Sequence, residues 1–426
     1  MRVAVIGAGI GGLSCAWALS RRHRVTLFEA RASLGMDAFS IDVPQDGELV
    51  RVDVPMRVFF AEGYPTLTAL YDAAGIASDR LDYAASFSRL DGPFLFRFRN
   101  HRLAGRALPF LHWRDLLHPA RVRRGLEVLR FFRVVSRERA SRAELDDLTV
   151  LEYLEARGFG RTFAEEFVLP AYAGVATCSY ATMRDYPASV LLSFLRGGLF
   201  AASMRRARFG ARDVVERLSA PVEDVRVACA VERVEPAADG VDVLLPEGAR
   251  ERFDHVVVAT QAYHARALLP PTADRERELL ERFRYERFEL LVHGDTGLAP
   301  NDGRDLSPVN FVLAEGSEAP MATIPLNRIH RGLGSGPPLF ETWNPLREPD
   351  AERVHCRVSL DRPVVDRASL RALGALEGLH AEPDRRLWFC GSYAAFGIPL
   401  QETAAASAFA VAERLGIVDL PGRTAG

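Results

Sequence analysis

The stretch "VAVIGAGIGG", residues 3–12, decides the fold, because it joins an apolar strand to a helix through closely spaced glycines. The β-branched run 3–6 precedes the glycines, and the helix-like "LSCAWALSRR" follows them. In this pattern Gly7 permits a tight turn, Gly9 lets backbone N–H groups approach a pyrophosphate, and Gly12 lets the helix pack closely on the strand. The stretch therefore predicts a strand–turn–helix unit that binds a dinucleotide.

A second strand and an acidic residue complete this unit. The segment "RVTLFEA" ends with Glu29, about 20 residues after the glycines, where a ribose-binding carboxylate belongs. The first helix would offer its free N–H groups and positive dipole end to the phosphates. Arg31 and Gly35 follow Glu29, as is typical of FAD-binding chains and not needed by nicotinamide-only dehydrogenases. FAD is therefore the predicted cofactor.

Distant parts of the chain supply the rest of the predicted cofactor fold. A buried strand is expected at Val256–Ala259, after short strands with turns at Asp239-Gly240 and Glu247-Gly248. Near the other end, a strand at Leu387–Cys390 leads through Gly391 into a long Ala-rich helix that begins near Gln401. The first and last segments of the chain are thus predicted to form one fold.

The predicted fold class is α/β, with a Rossmann-like FAD-binding domain of the glutathione reductase type and an inserted α+β substrate domain. The FAD-binding domain is expected to be discontinuous, over 1–62, 208–272 and 384–426. The substrate domain takes 63–207, expected to be mostly helical, and 273–383, which alternates strand-like runs with turns rich in Pro and Gly.

Composition excludes several other classes of protein. The 426 residues are 48% hydrophobic and carry a net charge of −2, without the clustered cations that a nucleic-acid partner requires. The five cysteines form no CxxC pair and the histidines no HExxH motif, so we predict no disulfide framework and no metal. With no leader and no apolar run of roughly 18 residues, a cytoplasmic location is expected.

The whole chain resembles the flavin-containing amine oxidase and phytoene desaturase superfamily. It is most similar to a bacterial branch of predicted NAD/FAD-binding proteins, related to the flavoprotein domain of plant cyclopropane fatty acid synthases. The segments that carry the resemblance are "VLPAYAGVATCSYATMRDYPASVLLSF", "YERFELLVHGDTGLAP", "IPLNRIH", "FETWNPLREPDAERV", "RPVVD" and "LWFCGSY". The resemblance implies a non-covalent FAD in an extended pose, with the substrate domain closing over its ring.

The predicted FAD-binding residues lie in the glycine turn, after the second strand, and in the later segments that complete the cofactor fold. They are Gly7, Gly9, Gly11, Gly12, Glu29, Ala30, Arg31, Gly35, Met36, Val231, Ala259, Thr260, Gly391, Ser392, Gln401, Glu402 and Thr403.

Three stretches depart from the superfamily pattern, and all lie in segments that approach the isoalloxazine or the pyrophosphate in its members. The stretches are 35–37, 53–57 and 401–404. Met36 either sits in a loop displaced from the phosphates or packs its sulfur on the ring, and Asp37 either faces solvent or pairs with an Arg. Arg57 is either a buried contact for an anion or a snorkelling surface residue.

The last helix is expected to keep its role despite these changes. Gln401, Glu402 and Thr403 would open it, and its positive dipole end would stabilise negative charge on the N1–C2=O edge of reduced flavin. That role depends on the backbone and the dipole, so it survives changes of side chain.

The sequence contains no lysine, and all 54 of its strongly basic residues are Arg. Many amine oxidases of the superfamily hold a water against flavin N5 with a lysine, and Arg is too wide and too basic to replace it. Amine oxidation in that mode is therefore disfavoured. Hydride transfer to or from N5 in an apolar tunnel, which needs no strong base, is favoured.

The substrate segments indicate a hydrophobic ligand. Residues 107–135 combine Phe110, Trp113, Leu116, Leu117, Leu126, Phe131 and Phe132 with Arg121, Arg123, Arg124 and Arg130. Such a basic amphipathic helix either packs on its own domain or lies on a membrane surface, and periodicity alone does not separate the two. Candidates to line the substrate side of the ring are Tyr64, Tyr172, Tyr180, Tyr393 and Phe396, whereas His293 is expected to be structural.

Three functional hypotheses follow. The leading one is an FAD-dependent oxidoreductase that acts on a hydrophobic small molecule by hydride transfer to N5. The second is a redox-neutral flavin isomerase of a lipid-like or polyketide-like substrate, and the third is a non-catalytic flavin-binding partner protein. Candidate catalytic residues are Arg57, Tyr393 and Glu402, and a homodimer is compatible with the sequence.

Overall fold

A computed structural model describes residues 1–45, 47–81, 84–92, 94–103, 106–111, 113–196, 204–303, 306–334 and 336–422. The strands are β1 (Arg2–Ile6), β2 (Arg24–Phe28), β3 (Ile41–Gln45), β4 (Glu48–Val52), β5 (Ser78–Arg80), β6 (Ala85–Arg89), β7 (Phe94–Leu103), β8 (Arg106–Leu111), β9 (Arg205–Ala207), β10 (Asp224–Arg226), β11 (Arg233–Ala237), β12 (Gly240–Leu244), β13 (Arg250–Phe253), β14 (His255–Val258), β15 (Tyr285–His293), β16 (Val309–Leu313), β17 (Met321–Pro325), β18 (Phe340–Trp343), β19 (Val354–Pro363) and β20 (Leu387–Phe389).

The helices are α1 (Ile10–Leu19), α2 (Pro65–Ala73), α3 (Pro119–Arg137), α4 (Arg142–Asp146), α5 (Val150–Ala156), α6 (Arg161–Phe163), α7 (Leu169–Ala176), α8 (Tyr180–Asp185), α9 (Ala188–Arg196), α10 (Gly210–Ser219), α11 (Ala262–Leu268), α12 (Asp274–Glu281), α13 (Arg367–His380) and α14 (Gln401–Arg414). A π-helical turn, Ala164–Val168, joins α6 to α7.

One of the two main sheets is parallel, with the strand order β10-β2-β1-β14-β20. Its strands are short apolar runs, as expected where both faces of a parallel sheet are covered. Along β1, Val3 and Val5 pack towards one face, whereas Ala4 and Ile6 pack towards the other. The predicted mixed α/β fold with a parallel sheet is confirmed.

Different layers cover the two faces of this sheet. Helices α1, α10 and α14 pack on the face of Val3 and Val5. On the other face lie α11, α12, α13 and the antiparallel sheet β11-β12-β13. The sheet draws its strands from residues 2–28, 224–258 and 387–389, which lie within the three segments predicted for the FAD-binding domain. The domain boundaries and the glutathione reductase type of that domain remain predictions.

A second, eight-stranded sheet has the order β19-β15-β18-β17-β16-β6-β7-β8. Its strands pair antiparallel except for β16 and β6, which run parallel. The segment 63–207 is helical from α3 to α9, but it also contributes β6, β7 and β8 to this sheet, which the sequence analysis did not anticipate. Part of the cause is non-local, because β6 pairs with β16 more than two hundred residues further along the chain. Strands β7 and β8 then extend the sheet by antiparallel pairing with β6 and with each other.

Helix α3 packs on its own domain through one face. Val128, Phe131 and Val135 are buried, and the Phe131 ring contacts Phe159 and Phe163. Exposed apolar side chains nevertheless occur around the start and outer face of the helix, namely Leu116, Leu117, Leu126 and Leu129. The side chains of Phe110 and Trp113 lie outside the described residues. Contact of this face with a membrane remains a prediction, and among the described residues no helix is long and apolar enough to cross one.

Candidate functional site

A cavity of about 760 Å³ separates the two sheets. One wall is formed where the carboxyl ends of β1, β2, β14 and β20 meet, the edge at which open α/β sheets bind ligands. The opposite wall comes from β16, β17, β18 and β19 of the eight-stranded sheet, together with the end of α7. A ligand in this cavity would touch both sheets.

The glycine turn between β1 and α1 forms one end of the cavity. Gly7 has a φ of +99°, which favours glycine, and a Cβ on Gly12 would lie 1.8 Å from the Gly7 carbonyl oxygen. Gly12 thus serves close packing of helix on strand and does not line the cavity. Gly9 and Gly11 line it, and a Cβ on Gly9 would have no neighbour within 4 Å. Helix α1 begins at this open space without a side-chain cap.

The carboxylate of Glu29 is held beside the glycine turn. It accepts hydrogen bonds from the backbone N–H of Ala8 at 2.9 Å and of Arg31 at 3.0 Å. The guanidinium of Arg31 stacks over the ring of Phe39, 4.2 Å from its centroid. Ala30, Val231, Ala259 and Thr260 also line the cavity, and their role in binding FAD remains a prediction.

The altered stretch 35–37 is a 3-10 turn that rests on the glycine turn, because a Cβ on Gly35 would lie 2.4 Å from the Ala8 oxygen. Met36 is buried and lines the cavity. The carboxylate of Asp37 pairs with Arg51 at 2.9 Å and with Arg212 at 3.4 Å. Burial alone would raise the pKa of Asp37, but the hydrogen bonds from Arg51, Ser40 and Arg212 together with the charge of Arg51 outweigh it, and the pKa is lowered. Of the two alternatives for Asp37, pairing with arginine is therefore the one observed.

In the altered stretch 53–57, Asp53 is buried and accepts a hydrogen bond from the Ala211 N–H at 2.8 Å. It also lies 3.5 Å from Arg206. Arg57 lines the cavity, and its Nη1 donates to the Pro55 oxygen at 3.1 Å. Burial lowers the pKa of Arg57, against the opposing effect of nearby acidic groups. The role of Arg57 remains a prediction.

The start of α14 contributes Gln401 to the cavity, but not the two residues that follow. The carboxylate of Glu402 turns to α2, where it accepts from the N–H groups of Thr66 at 3.0 Å and Leu67 at 2.9 Å. The hydroxyl of Thr403 caps its own helix by accepting from the Leu400 N–H at 3.1 Å. The structure thus engages Glu402 and Thr403 elsewhere in the fold.

The strand β20 delivers Gly391 and Ser392 to the cavity and turns the next residue away. Tyr393 is buried, with its ring 4.9 Å from that of Phe283, and its hydroxyl has no hydrogen-bond partner among the described residues. Burial raises the pKa of Tyr393 well above its usual range. It is not among the residues that line the cavity.

Of the other aromatic candidates, only Tyr64 lines the described part of the cavity. Tyr172 is buried in the core under the eight-stranded sheet, and Tyr180 packs at the edge of that core. The ring of Phe396 lies 3.7 Å from the guanidinium carbon of Arg142. His293 hydrogen-bonds to the Thr342 hydroxyl at 2.8 Å and accepts from the Asp295 N–H at 3.1 Å, the structural role expected of it.

Glu341 on β18 was not predicted as a site residue, yet its carboxyl group lines the cavity and is 0% exposed. It accepts from the Met56 N–H at 2.7 Å and from Trp343 Nε1 at 3.2 Å. Burial raises its pKa to about 7, in spite of these hydrogen bonds. A single charged residue inside the apolar run "PLFETW" was the available signal in the sequence.

Arg362, near the end of β19, also lines the cavity and was also missed. Its Nη2 donates to the Pro399 oxygen at 3.2 Å. Its Nε is buried and has no hydrogen-bond partner among the described residues. Burial lowers the pKa of Arg362.

The chain is similar in sequence to one protein family and in fold to several solved structures. A family described as "Flavin containing amine oxidoreductase" matches residues 10–288. No curated protein is significantly similar to the chain.

Several solved structures share the fold at low sequence identity. A CLA-producing fatty acid isomerase from P. acnes has a TM-score of 0.67 and 15% identity, with 97% of this chain and 98% of that chain covered. Putrescine oxidase bound to putrescine has a TM-score of 0.65 and 14% identity, with 97% and 99% covered. Cyclohexylamine oxidase from Brevibacterium oxydans IH-35A has a TM-score of 0.61 and 16% identity, with 97% and 99% covered.

Proposed function

The chain belongs to the flavin containing amine oxidoreductase family, and on this premise we propose that it oxidises a hydrophobic small molecule in the cavity between its two sheets. It is an FAD-dependent oxidoreductase, as its family indicates. The observation that carries the proposal is the continuity of the cavity, which runs from the glycine turn to the apolar side chains of the eight-stranded sheet.

The residues at the glycine end fit FAD. The uncapped start of α1, the open space at Gly9 and the Glu29 carboxylate would hold the pyrophosphate and the ribose. Gly35, Gly391 and Gln401 would complete this wall. When bound, FAD supplies a hydride acceptor at N5 of its isoalloxazine ring.

The opposite wall supports a hydrophobic substrate. Its apolar members include Val309, Phe311, Ala322, Ile324 and Leu360. These side chains would exclude water from the reacting atoms and strengthen the electrostatic interactions within the cavity. Hydride transfer requires such exclusion of water more than it requires a strong base.

Glu341 is the group best suited to hold or release a proton inside the cavity. Its pKa of about 7 lets the carboxyl exist in both protonation states near neutral pH. Because two donors fix its oxygens, the group is also well oriented. We expect Glu341 to exchange a proton with a substrate that loses or gains one during oxidation.

The lack of lysine narrows the reaction class. No side chain of this sequence can hold a water in the manner of the lysine-bearing amine oxidases, so we propose that the reaction is not amine oxidation of the lysine-assisted type. A flavin isomerase is the second candidate function. It is supported by the shared fold with the CLA-producing fatty acid isomerase, a likeness that concerns the fold alone.

The first experiment is the absorbance spectrum of the purified protein, followed by extraction and identification of its cofactor. We expect the spectrum of an oxidised flavin and release of FAD on denaturation, because nothing in the predicted site is covalent. A protein that carries no flavin and takes up no added FAD would contradict the proposed function.

Anaerobic mixing of the FAD-loaded protein with hydrophobic small molecules then separates the candidates. Bleaching of the flavin with one equivalent of oxidised product supports the oxidoreductase. Isomerised product without net bleaching favours the isomerase instead. If neither occurs with any compound that binds, the protein acts as a flavin-binding partner and the oxidoreductase proposal fails.

A further inference from the structure

Apart from Arg31 beside the glycine turn, the cavity is lined by two guanidinium groups that form no ion pair among the described residues. Arg57 and Arg362 both line it, and within the described part of the chain neither forms an ion pair with a carboxylate. Arg57 donates a hydrogen bond to the carbonyl oxygen of Pro55 at 3.1 Å, and Arg362 donates one to the carbonyl oxygen of Pro399 at 3.2 Å. A guanidinium has five N–H donors, so most donors of both groups are not used by the described residues.

Three other largely buried arginines each have an acidic partner. Arg97 lies 3.4 Å from Asp115, Arg206 lies 3.5 Å from Asp53, and Arg385 lies 3.3 Å from Glu276. Each of these cations has an acidic partner within the fold. Arg362 has no such partner among the described residues, and this distinguishes it from Arg385, which shares its unpartnered buried Nε but pairs with Glu276.

The charges in the cavity do not cancel. Arg57 and Arg362 repel each other, and burial lowers the pKa of both, although a guanidinium stays protonated at neutral pH. Glu341 attracts the charge of Arg57, but its own pKa of about 7 means that it is only partly ionised. Of the other acidic groups that line the cavity, Glu29 lies at the glycine turn and Asp361 pairs with Arg287 at 2.8 Å. The surroundings of Arg57 and Arg362 would therefore favour an anionic ligand.

The phosphates of the cofactor do not account for Arg362. The phosphates of FAD are expected at the start of α1, on the wall formed by the parallel sheet, whereas Arg362 belongs to β19 on the opposite wall. Around Arg362 the cavity is lined by Leu360 and Leu400, and Phe311 and Ile324 continue the same apolar wall. A ligand that is complementary to this wall has an apolar body and one anionic end.

We propose that Arg362 binds the carboxylate of the substrate, so that the substrate of this enzyme is a hydrophobic carboxylic acid. The inference rests on the proposed function and adds the substrate class to it. Arg57 lies near enough for its charge to act on Arg362 and would reinforce the attraction. A carboxylate suits the site because it accepts short, charge-assisted hydrogen bonds from a guanidinium.

The test is a titration of the FAD-loaded protein with a series of straight-chain fatty acid anions, from hexanoate to dodecanoate, and with the amides of the same chain length. Binding is followed by the change in the flavin absorbance spectrum, without turnover. We expect the wild-type protein to bind a carboxylate at least about tenfold more tightly than its amide. Arg362→Gln should abolish this preference, and Arg362→Lys should retain part of it.

The matched control is Arg357→Gln, since Arg357 lies on the same strand but pairs with Glu289 and Glu348 outside the cavity. It should keep the wild-type preference. If Arg362→Gln does not fold, as judged by its thermal transition and flavin content, Arg362→Lys and Arg57→Gln carry the test.

The inference would be overturned if the wild-type protein bound acids and amides equally, or if no acid of the series perturbed the flavin. It would also fail if Arg362→Gln kept the preference, or if it changed only the reduction potential of the flavin, which would assign the residue to the cofactor. Failure of the wild-type protein to hold FAD would instead contradict the proposed function and is seen in the spectrum before any titration.

Discussion

The carboxyl group of Glu341 combines complete burial with two hydrogen-bond donors. Burial favours the neutral form, whereas the N–H of Met56 and the indole of Trp343 favour the charged form. Burial is the larger effect, so the pKa rises from 4.5 to about 7. A group of this kind changes its charge with pH in the range where the protein would work.

Replacement of this carboxyl should change how stability depends on pH. In the unfolded chain Glu341 ionises near its ordinary pKa, but in the folded ligand-free protein it ionises only near 7. Its stabilising contribution is therefore present at low pH and is lost as the pH rises through 7, by about 3 kcal/mol in total. We expect the Glu341→Gln variant to lose less stability than wild type between pH 5 and pH 8, roughly by that amount.

Urea unfolding of the ligand-free proteins at a series of pH values measures the difference. Glu348→Gln is the control, because the Glu348 side chain is 85% exposed and should leave the pH dependence as it is in wild type. Parallel stability curves for wild type and Glu341→Gln would show that Glu341 does not titrate in this range.

Gly9 offers a second test at a single residue. A Cβ there has no neighbour within 4 Å, so Gly9→Ala should cost the FAD-free protein no more than about 1 kcal/mol, the difference between Gly and Ala at a helix N-cap. The methyl group would, however, occupy space that the pyrophosphate needs, and we expect the dissociation constant of FAD to rise at least about tenfold.

Thermal denaturation of the FAD-free protein and fluorescence titration with FAD provide the two readings. The control is Gly374→Ala in α13, where an added Cβ also has no neighbour within 4 Å. That change should leave FAD binding intact and increase stability slightly, since alanine favours helix. Equal FAD affinity of Gly9→Ala and wild type would place the pyrophosphate elsewhere.

At the scale of helices, α2 and α14 are connected by a cap that one helix provides for the other. The Glu402 carboxylate in the first turn of α14 accepts from two N–H groups in the first turn of α2. These are groups that a helix leaves unsatisfied, and a negative charge also interacts favourably with the positive end of the helix. The cap fixes the position of α2, and with it the nearby Tyr64 that lines the cavity.

Removal of this cap should affect stability more than function. We expect Glu402→Gln to cost about 1 kcal/mol and Glu402→Ala about 2 kcal/mol of unfolding free energy, measured with urea. The flavin spectrum and ligand binding should change little. Glu377→Ala, an exposed position in α13, is the control. Loss of flavin at unchanged stability would mean that Glu402 binds the cofactor, as the sequence analysis predicted.

The sequence predicted local elements well. The strand and helix around the glycines were expected and are found as β1 and α1. The strands expected at Val256–Ala259 and Leu387–Cys390 appear as β14 and β20, displaced by one residue at most. In each case the apolar run and the following Gly or turn residues lie within about ten residues of one another, so the signal is local.

The positions of Glu341 and Arg362 could not be predicted from the sequence, because they depend on the pairing of strands that are distant in the chain. Glu341 lies opposite Val292 of β15 and Ile324 of β17, and this register decides which wall of the sheet it occupies. Arg362 is likewise placed by the strand register, in which its backbone lies opposite that of Glu286 in β15. A shift of one residue would turn either side chain to the other face, and composition gives no means of choosing between the two.

For the whole molecule, the cavity between the sheets links cofactor binding to global stability. FAD would contact the ends of the parallel sheet and face the wall formed by β16–β19. We expect FAD at about 100 times its dissociation constant to stabilise the protein by about 2.7 kcal/mol against unfolding. Hydrogen exchange should slow on both sides of the cavity, in α1 and in β16 and β18.

Differential scanning calorimetry with and without FAD, together with hydrogen exchange read by mass spectrometry, tests this expectation. The Gly9→Ala variant at the same FAD concentration is the matched control and should show a smaller change in both measurements. Protection confined to the parallel sheet would mean that the two walls do not respond together to the cofactor.

The pairing of α1 with α14 also has a consequence for biosynthesis. The two helices pack on the same face of the parallel sheet, and β20 closes its edge, yet nearly the whole chain separates Ile10 from Gln401. At 5–20 residues per second, a ribosome needs on the order of tens of seconds to deliver the second helix after the first. During that interval the parallel sheet that supports the glycine turn is incomplete, because β20 has not yet been synthesised. We therefore expect FAD to be acquired only after β20 and α14 have been synthesised and the parallel sheet has formed.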